Sequence, residues 1–142
     1  MIKNILTFIT LVVASGLILS ACAAQGSSPG LKAISWRLVL YGPPAHQILA
    51  AAGIQTNVDF YKDGTVDGNV GCNSFSGNYE VKSGNIVFSM ILSTMMACHG
   101  SQMDQERVTL KVLTGTVRYQ VQGNSLVIYA ADGASSITLS KR

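Results

Sequence analysis

The stretch 58-VDFYKDGTVDGNVGCNSFSGNYEV-81 decides how this chain folds. Val58 and Phe60 alternate with Asn57 and Asp59, so one side of a strand is apolar and the other polar. Lys62-Asp63-Gly64-Thr65 then supplies an Asp-Gly hairpin turn. Val66, Val70 and Cys72 share one face of the return strand. Phe75, Tyr79 and Val81 share a face after it, but in the opposite phase. A period of two changes phase only where a residue is inserted or the chain turns, so a bulge or tight corner is expected between Cys72 and Phe75, with Asn73 beside Gly71 marking the place. The glycines of 64–77 suit such corners in a strongly curved sheet. They do not make a phosphate loop, because the GK[ST] ending and a following helix are both missing from the sequence pattern.

The same period runs outward in both directions. Trp36, Leu38 and Leu40 alternate with Arg37, Val39 and Tyr41 in a first strand that Gly42-Pro43-Pro44 ends. Lys82-Ser83-Gly84-Asn85 turns the chain into Ile86, Val87 and Phe88, and 116-TVRYQV-121 and 125-SLVIYA-130 flank Gly123-Asn124. A last strand, 136-SITLSK-141, follows 131-ADGAS-135. About eight short strands separated by turn signals predict a mainly β fold, a compact antiparallel sheet that is barrel-like or a sandwich. Trp36, Phe60, Phe75, Tyr79 and Phe88 alternate with polar residues as core side chains do. One segment departs from the pattern. Ser101 with Asp104 three residues on reads as an N-cap, predicting a helix near 102–114 that stops before Gly115. Met103, Leu110 and Leu113, with Val108 or Val112 alongside, are expected to face the sheet. The seam beside them is the expected place for an apolar ligand or partner surface.

Ahead of the domain, Lys3 precedes an apolar run from Ile5 to Leu19. The run is shorter than the ~20 residues of a membrane span, and Thr7, Thr10, Ser15 and Gly16 dilute it, so it reads as a secretory signal. The next residues, 19-LSAC-22, resemble the lipobox of bacterial lipoproteins. That resemblance implies a signal peptide over 1–21, acyl chains such as palmitate on Cys22, and cleavage before it. Taking 21 residues from 142 leaves 121, an ordinary size for one domain. Residues 22–34 are then the lipidated amino terminus and a small-residue flexible tether, and 35–142 the domain. Several acyl chains anchor a protein far more firmly than one. Ala23, in place of the aspartate that retains lipoproteins in an inner membrane, points to the outer membrane facing the periplasm in a two-membrane cell. Loss of Lys3 lowers the net charge from +3 to +2, with the basic residues scattered, which excludes nucleic acid as an expected partner.

Taken together, 36-WRLVLYG-42, the 58–81 stretch, 93-STMMAC-98, Glu106 with Leu110 and Leu113, and 123-GNSLVIY-129 resemble the META domain, the HslJ-like heat-shock lipoprotein family. The resemblance runs from about Trp36 to Leu139. It implies a compact, mostly antiparallel β fold with one helix. It also implies a non-enzymatic accessory or binding module linked to envelope stress, with an envelope protein or an apolar molecule as its partner.

The three cysteines and two histidines carry whatever chemistry the chain has. A thiol nucleophile at Cys72 or Cys98 needs a base within reach and a group to orient that base. Cys98-His99 are neighbours and His46 is the other imidazole, but no third residue is nominated; a thiol-dependent envelope enzyme or redox protein is the alternative reading. Zinc held by Cys72, Cys98, His46 and His99 would lack the usual paired spacing. Asp59, Asp63 and Asp67 lack the glycine and terminal glutamate of a calcium loop. No catalytic residue, metal or cofactor is therefore expected. With Cys22 taken by lipid, Cys72 and Cys98 remain in a disulfide-permissive compartment and are expected to pair, tying the Gly-Cys-Asn corner to the segment entering the helix. Two buried, unbonded thiols are the competing expectation.

Overall fold

The computed structural model describes residues 30–142. The signal peptide expected over 1–21 and the expected lipidation site Cys22 lie outside the described residues. Nine strands follow one another, β1 (Ile34–Gly42), β2 (Ile48–Leu49), β3 (Asn57–Phe60), β4 (Thr65–Asn69), β5 (Ser74–Lys82), β6 (Asn85–Ser93), β7 (Gly115–Gln122), β8 (Ser125–Tyr129) and β9 (Ser136–Lys141). A single helix among the described residues, α1 (Ser101–Val112), separates β6 from β7. From β3 to β9 each strand pairs antiparallel with its successor, β3 pairs with β1, and β9 returns to β1. Eight strands thus close a barrel, and β2 attaches to the outer part of β1 as a ninth. Closure leaves no long open edge for another chain to pair with.

The barrel interior is the core. Trp36, Phe60, Tyr79 and Phe88 are all at least 95 % buried. Phe60 meets Tyr79 edge-to-face at 4.8 Å between centroids and Phe88 at 6.2 Å, and the Tyr79 hydroxyl donates to the Tyr61 carbonyl at 2.7 Å. Truncating Phe60 to alanine would cost about 3–5 kcal/mol on the usual scale for buried aromatics.

The strand phases depart from simple alternation at three places. Between Leu38 and Leu40 the pairing of β1 with β9 slips by one residue, so Tyr41 rather than Leu40 turns inward, opposite Ile137. Between Asn69 and Ser74 there is no strand; Val70, Gly71, Cys72 and Asn73 form a buried corner, which accounts for the phase change and takes Cys72 out of the strand expected to hold it. A third irregularity sets Gly77 of β5 against Met90 and Ile91 of β6. A Cβ on Gly77 would stand 3.0 Å from both Ile91 Cα and the Met90 carbonyl oxygen, so a side chain there would press the two strands apart. The fold also starts earlier than expected. Leu31, assigned to the tether, is 2 % exposed in the core, and the Ala33 N–H donates to the Phe60 carbonyl.

The two rims of the barrel differ. At one rim lie residues 30–33, the β3–β4, β5–β6 and β7–β8 turns and the last residues of β9. At the other lie the long β1–β3 connection, the corner of residues 70–73, the segment 94–100 and α1. Helix α1 starts differently from expectation. Gly100, at φ 81°, is the N-cap with no side-chain capping bond, and Ser101 is already helical. Its buried face consists of Gln105, Glu106, Thr109 and Val112, continued by Leu113, whereas Met103, Val108 and Leu110 are half-buried. The helix docks on the barrel largely through polar side chains.

Candidate functional site

The corner of residues 70–73 and the polar face of α1 meet at the helix-capped rim. Glu106 is 5 % exposed and its carboxylate is fully engaged there. Oε2 accepts the backbone N–H of Cys72 at 2.7 Å and of Asn73 at 2.5 Å, while Oε1 accepts Asn73 Nδ2 at 2.8 Å. Successive backbone N–H groups converging on one oxygen make an anion-binding concavity, here filled by the chain's own side chain. One position along the helix, Gln105 donates from Nε2 to the Val70 carbonyl at 2.8 Å and accepts the Ala51 N–H at 2.6 Å. Asn69 Oδ1 accepts the Gly71 N–H at 3.0 Å. The corner N–H groups of residues 71, 72 and 73 are thereby all satisfied by side chains, as a buried turn without strand partners requires.

Asn73 links this knot to a second segment. Its Oδ1 accepts the Thr94 hydroxyl at 2.9 Å and the Met96 N–H at 2.7 Å. Two residues further on, Cys98 is joined to Cys72 by a disulfide, with Cα atoms 6.2 Å apart and a separation of 26 positions in sequence. The unbonded-thiol arrangement is thus not the one observed. Gly71 is the residue that lets helix and corner touch. A Cβ there would stand 2.5 Å from the Gln102 carbonyl oxygen and 2.6 Å from Glu106 Cβ. The last three residues of the corner therefore differ in what they do. Gly71 admits the helix, Cys72 carries the disulfide, and Asn73 forks hydrogen bonds to α1 and to the segment after β6.

The other candidate residues are dispersed. His46 and His99 are exposed. Among the described residues no three or more His, Cys, Asp or Glu side chains are grouped to hold a metal ion. Of the residues expected on an apolar seam, Leu113 is fully buried and belongs to the core, so it forms no part of any surface. Met103 is half-buried on α1. Leu110 lines a groove of about 200 Å³ between α1 and β6, with Phe88, Met90, Ile91 and Thr114. That volume is below the roughly 300–1,000 Å³ of pockets that engulf small ligands. Beside it, Met90, Leu92, Met95 and Met96 are between 56 and 97 % exposed, four large apolar side chains within seven residues. Clusters of exposed apolar residues on a folded domain mark contact surfaces, and flexible methionines suit adaptable ones.

Sequence reasoning misses this polar clasp. Its signal is present as Gln105, Glu106, Thr109 and Val112, spaced i, i+1, i+4 and i+7 as one helix face is. A search for apolar periodicity passes over such a face.

Comparison with solved structures supports the fold. A protein from Burkholderia xenovorans studied by NMR is similar at a TM-score of 0.65 and 21 % identity, over 79 % of this chain and 83 % of that one. A duf4847 family protein from Bacteroides vulgatus, known from a crystal structure, is similar at a TM-score of 0.53 and 13 % identity, over 78 % and 93 % of the respective chains. Comparison with curated proteins gives no match. The META domain profile matches residues 30–142, from the first described residue through β9, and the chain belongs to the META domain family.

Proposed function

We propose that this protein is a lipid-anchored accessory module of the bacterial cell envelope. It works by binding, through the apolar strip of Met90, Leu92, Met95 and Met96 and the adjoining Leu110 groove, and serves the envelope under stress. The Cys72–Cys98 disulfide is the observation that carries the reading. Such bonds persist in exported proteins and are rare in reducing compartments. These two cysteines are also the pair left over once 19-LSAC-22 commits Cys22 to lipid. Two further observations favour a binding role over a reaction. The most buried carboxylate, Glu106, spends both oxygens on the corner, and the two sulfurs that a thiol nucleophile would need are bonded to each other. The groove is small for a buried apolar ligand, so a protein partner lying across the methionine strip fits the geometry better than an engulfed molecule. The anchor is tested by metabolic labelling with a palmitate analogue in a bacterial host. The wild type should be labelled and membrane-bound, and Cys22→Ser unlabelled and uncleaved; equal labelling of the two refutes the anchor.

A further inference from the structure

The two rims carry opposite charge. Lys32, Lys62, Lys82, Lys141 and Arg142 are all exposed at the rim where the described chain begins. Backbone bonds hold the segments together there, with the Arg142 N–H on the Ser35 carbonyl at 3.0 Å and the Lys141 N–H on the Asn124 carbonyl at 2.8 Å. Lys32 and Lys62 line one shallow groove of about 580 Å³. The acids at this rim are Asp63, whose carboxylate accepts the Thr65 N–H and hydroxyl, and Glu80, 2.8 Å from Lys82. Even with a terminal carboxylate at Arg142 counted, the rim keeps two net positive charges. The helix-capped rim has the reverse balance. Its cations are Arg107 and Lys111, paired with Asp104 and Asp132, and Glu106 adds a further acid. Among the strand residues, Arg37 and Arg118 offset in charge Asp59 and Asp67, which face each other across β3 and β4, so the balance of the basic rim stands.

The anchor enters at the basic rim. Leu31 is fixed in the core there, and the nine peptide steps back to Cys22 span at most about 30 Å. We propose that this rim docks on the headgroups of an anionic phospholipid bilayer. The inference rests on lipidation of Cys22. Each Lys or Arg near such a surface adds an attraction that falls off within a Debye length. Two net charges correspond to roughly a thirtyfold preference for the rim-down orientation. Tethering makes that preference sufficient, because the domain is already held at the surface. The docked orientation turns α1 and the exposed methionines away from the bilayer, toward soluble or opposing-membrane partners.

The test is lysine footprinting of the full lipidated protein, reconstituted in vesicles of phosphatidylcholine alone or mixed with phosphatidylglycerol. An amine-reactive acetylating reagent is read out by mass spectrometry, with Lys111 at the far rim as internal reference. In the anionic vesicles at low salt, Lys32, Lys62, Lys82 and Lys141 should label at least fivefold more slowly relative to Lys111 than they do in phosphatidylcholine. High salt should abolish the difference. Equal relative labelling in the two lipids overturns the docking while leaving the anchor intact. A chain that enters neither vesicle and carries no acyl mass overturns the anchor, and this inference with it.

Discussion

Glu106→Ala is the substitution that isolates the clasp. It leaves three buried donors, the Cys72 and Asn73 N–H groups and Asn73 Nδ2, without their acceptor. An unsatisfied buried donor costs about 1–3 kcal/mol, and bonds to a charged group stand at the upper end of the range. Local relaxation offsets part of the sum, so the expected loss is about 4–6 kcal/mol. That is comparable with the whole ~5–15 kcal/mol stability of a typical domain. Glu106→Gln retains one oxygen for the two backbone donors but turns an NH2 group toward Asn73 Nδ2, setting donor against donor, and should cost about 2–3 kcal/mol. Urea unfolding of the oxidised proteins, followed by Trp36 fluorescence, gives both values from the shift in midpoint at constant slope. The order wild type, Gln, Ala in falling stability supports the clasp. An alanine variant within about 1 kcal/mol of wild type would show that α1 is held on by apolar packing alone, and the reasoning would be wrong.

Three further outcomes test separate parts of the account. Replacing Cys72 and Cys98 together by serine removes a 26-residue cross-link and should lower stability by about 3.5 kcal/mol in the loop-entropy treatment, a loss that reducing agent should reproduce in the wild type. Gly71→Ala drives a Cβ into the Gln102 carbonyl and Glu106 and should cost about 1–3 kcal/mol, measured by thermal unfolding; an unchanged Tm contradicts the close approach of helix and corner. Burial, with a smaller push from Asp63, holds the Tyr79 phenol above the ordinary tyrosine range. Because the folded-state value is raised, its contribution to stability is complete below pH about 10 and is lost as the pH rises through the folded value. Alkaline titration of phenolate absorbance should show a late-ionising tyrosine that Tyr79→Phe deletes, and survival of that step in the variant contradicts the assignment.

Legibility in the sequence follows the physics of each element. The hairpins of β3–β4, β5–β6 and β7–β8 are readable because their turn residues and period-two flanks act locally. The corner at 70–73 is readable as a phase conflict, but its start is not: the conflict points to the stretch between Cys72 and Phe75, whereas the strand already ends at Asn69. The slip at Val39 is not readable, because it is set by pairing of β1 with β9, about a hundred residues away. Closure of the barrel is long-range in the same sense, which leaves barrel and sandwich equally open. The helix is legible but its orientation is not. Leu110 and Met103 look like a buried stripe, yet the demand for acceptors at the corner rotates Gln105 and Glu106 inward. The need of unpaired backbone N–H groups outweighs apolar periodicity at that position. Leu113, inward-facing as expected, is core and not surface.

The most direct test of an anchored, disulfide-clasped binding module is intact mass spectrometry of the mature protein, extracted from membranes without reducing agent. The account predicts a chain beginning at Cys22, carrying the mass of its acyl groups and lying two hydrogen masses below the dithiol form, with no thiol open to alkylation. A chain retaining residues 1–21, with Cys22, Cys72 and Cys98 all alkylated, would contradict it.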